Sequence, residues 1–159
     1  MHHSYFADLS TADIEGTDVI WEAEATLGEQ TFDITLWADA DQQLDGAQLD
    51  AFAALIQDLP ALDAKARTIL QAELDGDDEF MAYHLDEVDN FPALAAIAPH
   101  DEISVADFVR AMQLTHIGLW ANEPATVILD FQIDPEHSDQ ILAVKLDGQG
   151  ELTAVDWES

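Results

Sequence analysis

The side chains of this 159-residue chain that could do chemistry are six histidines, His2, His3, His84, His100, His116 and His137, and 34 carboxylates. No two histidines stand at H-x-H or H-E-x-x-H spacing, which would set two imidazoles on one face for a metal. His84-Leu85-Asp86-Glu87 places Glu87 near His84 on a helix, a pair that could do acid/base work. Beside Phe80 and Tyr83, amphipathic packing is the expected role of His84. His2 and His3 read as a mobile terminus. With no cysteine, the chain has no disulfide, thiolate metal ligand or thiol nucleophile.

Among the carboxylates, Asp39-Ala40-Asp41-Gln42-Gln43-Leu44-Asp45-Gly46 resembles the start of a calcium-binding EF-hand loop. Counted from Asp41, however, position three is Gln43 and the bidentate glutamate of position twelve is replaced by Phe52, so a turn followed by a helix cap is expected. Asp75, Asp77, Asp78 and Glu79 form a second acidic knot, read as a solvated loop. None of Ser4, Ser10, Ser104, Ser138 and Ser159 sits in a G-x-S-x-G elbow, and no Walker A or G-x-G-x-x-G stretch exists to cradle phosphate. No catalytic residue, metal ligand or cofactor is assigned, and a non-enzymatic protein is expected.

The acids themselves remain. They face only Lys65, Arg67, Arg110 and Lys145, for a formal net charge of -30, and the first 64 residues contain no cation at all. A folded 17.5 kDa chain exposes roughly 7,900 Å², or roughly one net charge per 260 Å², whereas duplex DNA carries about one per 100 Å². Nucleic-acid mimicry would therefore require the acids to gather on one face. Such a charge repels nucleic acid and phosphorylated substrates and speeds encounter with a basic protein. The expected partner-binding acids are Glu22, Glu24 and Asp33; Asp39, Asp41 and Asp45; and Asp75, Asp77, Asp78, Glu79, Asp86 and Glu87. Trp21, Trp37, Trp120 and Trp157 could add aromatic anchors wherever one is exposed. The alternative is a general cytosolic protein whose acidity reflects solubility or a saline habitat, which the 22 Asp against 12 Glu suit equally well.

The elements that must position these residues follow from periodicity. Val19, Trp21, Ala23, Ala25 and Leu27 alternate with Glu22, Glu24 and Thr26; after Gly28-Glu29-Gln30, Phe32, Ile34 and Leu36 alternate with Asp33 and Thr35. This is a β-hairpin with an acidic outer strip. Asp45-Gly46-Ala47-Gln48 has the form of a capping box for a helix bearing Leu49, Phe52, Ala53, Ile56 and Leu59, stopped by Pro60. A second helix is predicted over about 62–74. A third, over about 79–89, presents Phe80, Tyr83, His84 and Val88 on one face, and a fourth is capped by Ser104 and bears Val105, Phe108, Val109 and Met112. The last third reads as strands at 116–120, 125–133, 140–146 and 151–157, with Asp147-Gly148-Gln149-Gly150 as a hairpin turn. The sum is one α+β domain, 1–159, with an N-terminal hairpin, about four helices and C-terminal antiparallel strands in a single sheet. An exposed edge of such a sheet could pair two chains, leaving a homodimer open. The apolar runs are short and Met1–Asp8 lacks the basic and apolar regions of a leader, so a cytoplasmic protein with no membrane contact is expected.

The block Ile128-Leu129-Asp130-Phe131-Gln132-Ile133, Ser138-Asp139-Gln140-Ile141-Leu142-Ala143-Val144-Lys145-Leu146-Asp147-Gly148 and Trp157-Glu158-Ser159, with Tyr5-Phe6 and the first hairpin, resembles a bacterial family of short acidic proteins that carry a domain of unknown function. The resemblance implies no enzyme activity. It implies instead an immunity role, and together with the charge gives the expectation of an immunity protein or inhibitor that blocks a basic nuclease-type toxin or nucleic-acid-binding protein.

Overall fold

The alternation from Thr17 to Asp39 folds as the expected hairpin. In the computed structural model, which describes residues 1–97 and 102–159, β3 (Thr17–Leu27) and β4 (Gln30–Asp39) pair antiparallel across a two-residue turn. Gly28 occupies that turn at φ +62, where an L side chain would be strained. A bulge between Val19 and Trp21 keeps Trp21 opposite Leu36 and on the inner face. Before the hairpin, two-residue strands β1 (His2–His3) and β2 (Ala7–Asp8) form a small ribbon that carried no periodic signal. It places Phe6 edge-on against Trp21, with ring centroids 4.8 Å apart, and so covers the inner face of β3.

From β4 the chain crosses through the helices and returns parallel to it. Helix α1 (Gly46–Ile56) starts at Asp45, whose carboxylate accepts from the Ala47 amide. Gln48 does not close the predicted capping box: its Nε2 donates to the Gly148 carbonyl, tying α1 to the last sheet turn. Helix α2 (Leu59–Gly76) is longer than expected because Pro60 lies in its first turn, where a missing amide costs nothing, and Asp58 caps it. Leu62, Ala66, Leu70 and Leu74 line its buried stripe. Helix α3 (Glu79–Leu85) is shorter than predicted and passes into a 3-10 turn at Val88–Asn90. Short α4 (Pro92–Ala95) and α5 (Val105–Ala111) follow, and Ser104 and Asp107 form the reciprocal capping box of α5.

Four antiparallel strands complete the sheet: β5 (Gln113–Trp120), β6 (Thr126–Gln132), β7 (Ile141–Asp147) and β8 (Leu152–Glu158). The six-stranded order is β3-β4-β5-β6-β7-β8, with only β4 and β5 parallel. A long crossover such as the one that carries the helices between β4 and β5 is what parallel neighbours require. The architecture is α+β in two layers. Phe32, Ile34, Leu36, Ile117, Leu119, Val127, Leu129, Phe131, Leu142, Val144 and Leu146 face the helices and form one core with Phe52, Leu70 and Phe108. Among the described residues, no helix covers the opposite face of the sheet. Among the described residues, no helix is long and apolar enough to cross a membrane.

Candidate functional site

Register decides where the predicted acids stand. Glu22 pairs with Thr35 and Glu24 with Asp33, all opposite the core-facing positions, so these three acids lie exposed on the uncovered face at the β3 edge. Thr35, expected beside them, is instead buried, because the aromatic residues of β4 and β5 close over it. Asp39, Asp41 and Asp45 follow the end of β4. Asp39 is half-buried, bonded by Thr17 and Asn122, and Asp45 is the α1 cap, so two of the three do structural work. Asp75, Asp77, Asp78 and Glu79 are exposed at the α2–α3 junction, where Asp77 and Glu79 face β8, and Asp86 and Glu87 are exposed past the far end of α3. β3 and β8 are opposite edges of the sheet, five strand steps or about 24 Å apart. The acids therefore form separate patches, not one face.

The cations are all occupied elsewhere. Lys65 donates to the Gly150 carbonyl. Arg67 grips Asp63 and also donates to the Val109 and Met112 carbonyls, at 2.7 and 2.8 Å. Arg110 pairs with Asp107, and Lys145 lies between Asp156 and Glu158 at 2.8 and 3.1 Å. Within the described residues, none of the twelve predicted acids shares an ion pair. Spread over 8261 Å² of surface, the formal charge is about one per 275 Å².

At the β8 edge two of these acids, Asp77 and Glu79, together with Glu73, which was not among the predicted residues, rim a cleft of about 140 Å³ with a mixed polar and apolar lining. Its floor is Phe80, Leu74 and Leu142, its outer wall Trp157, and Glu73, Asp77 and Glu79 surround its mouth. Phe80 is buried, whereas Trp157 is 43% exposed. Trp157 meets Phe80 edge-on at 5.3 Å and Tyr83 at 5.7 Å, and its indole Nε1 donates to Gln140 at 2.7 Å. Tyr83, predicted on the inward face of its helix, is 47% exposed: with α3 only seven residues long, its inner stripe is filled by Phe80, Met81 and His84.

The predicted His84–Glu87 pair does not form. His84 is fully buried; its Nδ1 donates to the Phe80 carbonyl at 2.9 Å and its Nε2 accepts from the Ser138 hydroxyl at 2.8 Å. Glu87 instead accepts from Asn90 at the surface. Burial pushes the imidazole below its ordinary pKa, opposed by the Phe80 carbonyl and the Asp134 charge. His3 is also not mobile: its Nδ1 accepts from the Tyr5 and Phe6 amides, leaving Nε2–H to donate to Asp50 at 2.8 Å. His2 bonds Asp8, His137 donates to Asp134, and His100 lies outside the described residues.

One arrangement had no sequence signal. On the uncovered face, Trp37 and Trp120 stack at 4.6 Å and 7°, and Trp37 Nε1 donates to Thr35, whose hydroxyl also bonds His116 Nε2 at 2.9 Å. Asp130 lies 3.7 Å from His116 Nδ1. The order hydroxyl, imidazole, carboxylate is that of a nucleophilic triad. The Thr35 oxygen nevertheless already holds the indole N–H and is only 6% exposed, and the gap to Asp130 is too long for a hydrogen bond. Packing of the bare face is what this network accomplishes. Among the described residues, no three His, Asp or Glu side chains converge as a metal site.

The fold and this surface define an α+β protein with an acidic, uncompensated exterior and an aromatic cleft at one sheet edge. No protein-family model, curated protein or solved structure matches the chain.

Proposed function

We propose that this protein acts by binding a basic protein, as an immunity protein or inhibitor that covers the cationic surface of a nuclease-type toxin or nucleic-acid-binding protein. The observation that carries this reading is the full occupation of Lys65, Arg67, Arg110 and Lys145, which leaves the twelve predicted acids without an ion pair among the described residues. Those carboxylates keep their field available to steer a cationic partner. The resemblance of the C-terminal block points the same way. Separation of the patches argues for contact through one of them over duplex mimicry across the whole surface, since the charge density stays well below that of DNA.

A second reading has its own support: acids at both sheet edges are also what solubility or a saline habitat would produce. The two are separated by assaying a panel of basic nucleases with and without the protein at low salt. Inhibition of a subset, relieved by added salt, supports the binding reading; uniform indifference leaves acidity as a general surface property.

A further inference from the structure

The cleft between α2, α3 and β8 combines an exposed tryptophan, an open sheet edge and carboxylates with no ion-pair partner among the described residues. β8 pairs with β7 on one side only, so its outer backbone groups are free to pair with another strand. Its two faces differ. On the uncovered side, Lys145 lies between Asp156 and Glu158 and offsets one of their two charges. On the helix side, Trp157 stands over the cleft among Glu73, Asp77 and Glu79, and no cation reaches them within the described residues. An extended segment laid along β8 would feel the stronger attraction for positive charge on that side.

At about 140 Å³ the cleft is smaller than the ~300–1,000 Å³ typical of small-molecule pockets. It has the dimensions of a single long side chain. Phe80 and Leu142 offer apolar surface to an aliphatic stem, the indole of Trp157 offers its ring to a cation, and the three carboxylates surround the head group. A second copy of the chain is a poorer occupant, because two such edges would bring like charges together.

We propose that β8 is the docking edge for an extended basic segment of the partner protein, with one arginine or lysine side chain seated in the cleft beside Trp157. This rests on the basic-partner reading above and specifies its contact.

The probe is a short fluorescent peptide alternating arginine and valine, compared with the same peptide carrying citrulline, which keeps the shape and removes the charge. Anisotropy titrations use the full chain, a cleft variant (Glu73→Gln, Asp77→Asn, Glu79→Gln) and a control variant at the far edge (Glu22→Gln, Glu24→Gln, Asp33→Asn). Both variants remove the same charge from exposed positions, and each side chain stays isosteric. The expected result is about tenfold weaker binding by the cleft variant, about twofold or less by the control, and loss of binding with citrulline. Equal weakening by both variants would overturn the cleft while leaving the basic-partner reading intact. Peptide binding unaffected by citrulline would overturn the charged occupant. A concentration-dependent dimer that the peptide displaces would assign the edge to a second copy and also overturn the proposal. If the wild-type chain binds neither the peptide nor any basic protein at low salt, the broader reading fails with it.

Discussion

Arg67 is the cation on which the fold depends most, and removing it gives a sharp test of how the two layers are joined. Its Nε lies 2.9 and 3.1 Å from the two Asp63 oxygens, one turn earlier on α2. Its Nη1 donates to the Val109 and Met112 carbonyls at the end of α5, and its guanidinium carbon sits 5.2 Å from the centroid of the Phe131 ring on β6. The Arg67 and Asp63 side chains are only 22% and 17% exposed, so little solvent is available to replace the lost contacts. Arg67→Ala strands a carboxylate and two helix-end carbonyls. Breaking a pair of this kind costs about 3–5 kcal/mol, a large share of the ~5–15 kcal/mol that holds a domain together. Arg67→Lys keeps the charge but not the fork, so about half of that loss is expected. Asp63→Asn leaves both α5 contacts and should cost about 1–2 kcal/mol. Urea denaturation, followed by tryptophan fluorescence and far-UV circular dichroism, reads all three from midpoints at constant slope. A loss below about 1 kcal/mol for Arg67→Ala would refute the anchoring role.

Three further outcomes follow from local geometry. His84 is held below its ordinary pKa by burial, so the unfolded chain takes up a proton before the folded one does: stability is full above about pH 6.5 and falls as pH drops from there toward the folded value. Chemical denaturation across pH 5–7 should show that slope in the wild type and lose it in His84→Gln. The Lys145 ammonium is held above its ordinary value by the hydrogen bonds it donates to Asp156 and Glu158, so its contribution is present below about pH 10.5 and disappears as pH rises through the higher folded value. Lys145→Met should remove that alkaline dependence and cost about 1 kcal/mol near neutrality. Gly118→Ala would place a methyl carbon 2.9 Å from the Trp120 Nε1, forcing the ring off Trp37; the near-ultraviolet circular dichroism of the stacked pair should change, with about 1–3 kcal/mol of destabilisation.

Local rules carried the sequence reading as far as local rules reach. Alternation located the β3–β4 hairpin and its exposed Glu22, Glu24 and Asp33, and capping residues located α1 and α5. What depended on distant partners was hidden. Gln48 has the right spacing for a capping box but bonds Gly148, 100 residues away, and His84 finds Ser138 instead of Glu87. The parallel pairing of β4 with β5 follows from a crossover that no strand pattern encodes. Likewise, the cleft joins Phe80 to Trp157 across nearly half the chain, and the Trp37–Trp120 stack is set by sheet register. Trp157 could have been suspected from its place in an acidic final strand, but its exposure could not. The count of four cations was plain in the sequence, whereas their complete occupation required the fold.

The central claim, that the uncompensated acids serve a basic partner, is tested most directly by measuring the dissociation constant for a basic nuclease-type protein as a function of salt, using the full chain. A logarithmic plot that falls steeply, with affinity lost by about tenfold or more between low and physiological ionic strength, is the predicted result. Absence of a complex with every basic protein tried, or an affinity indifferent to salt, would contradict it.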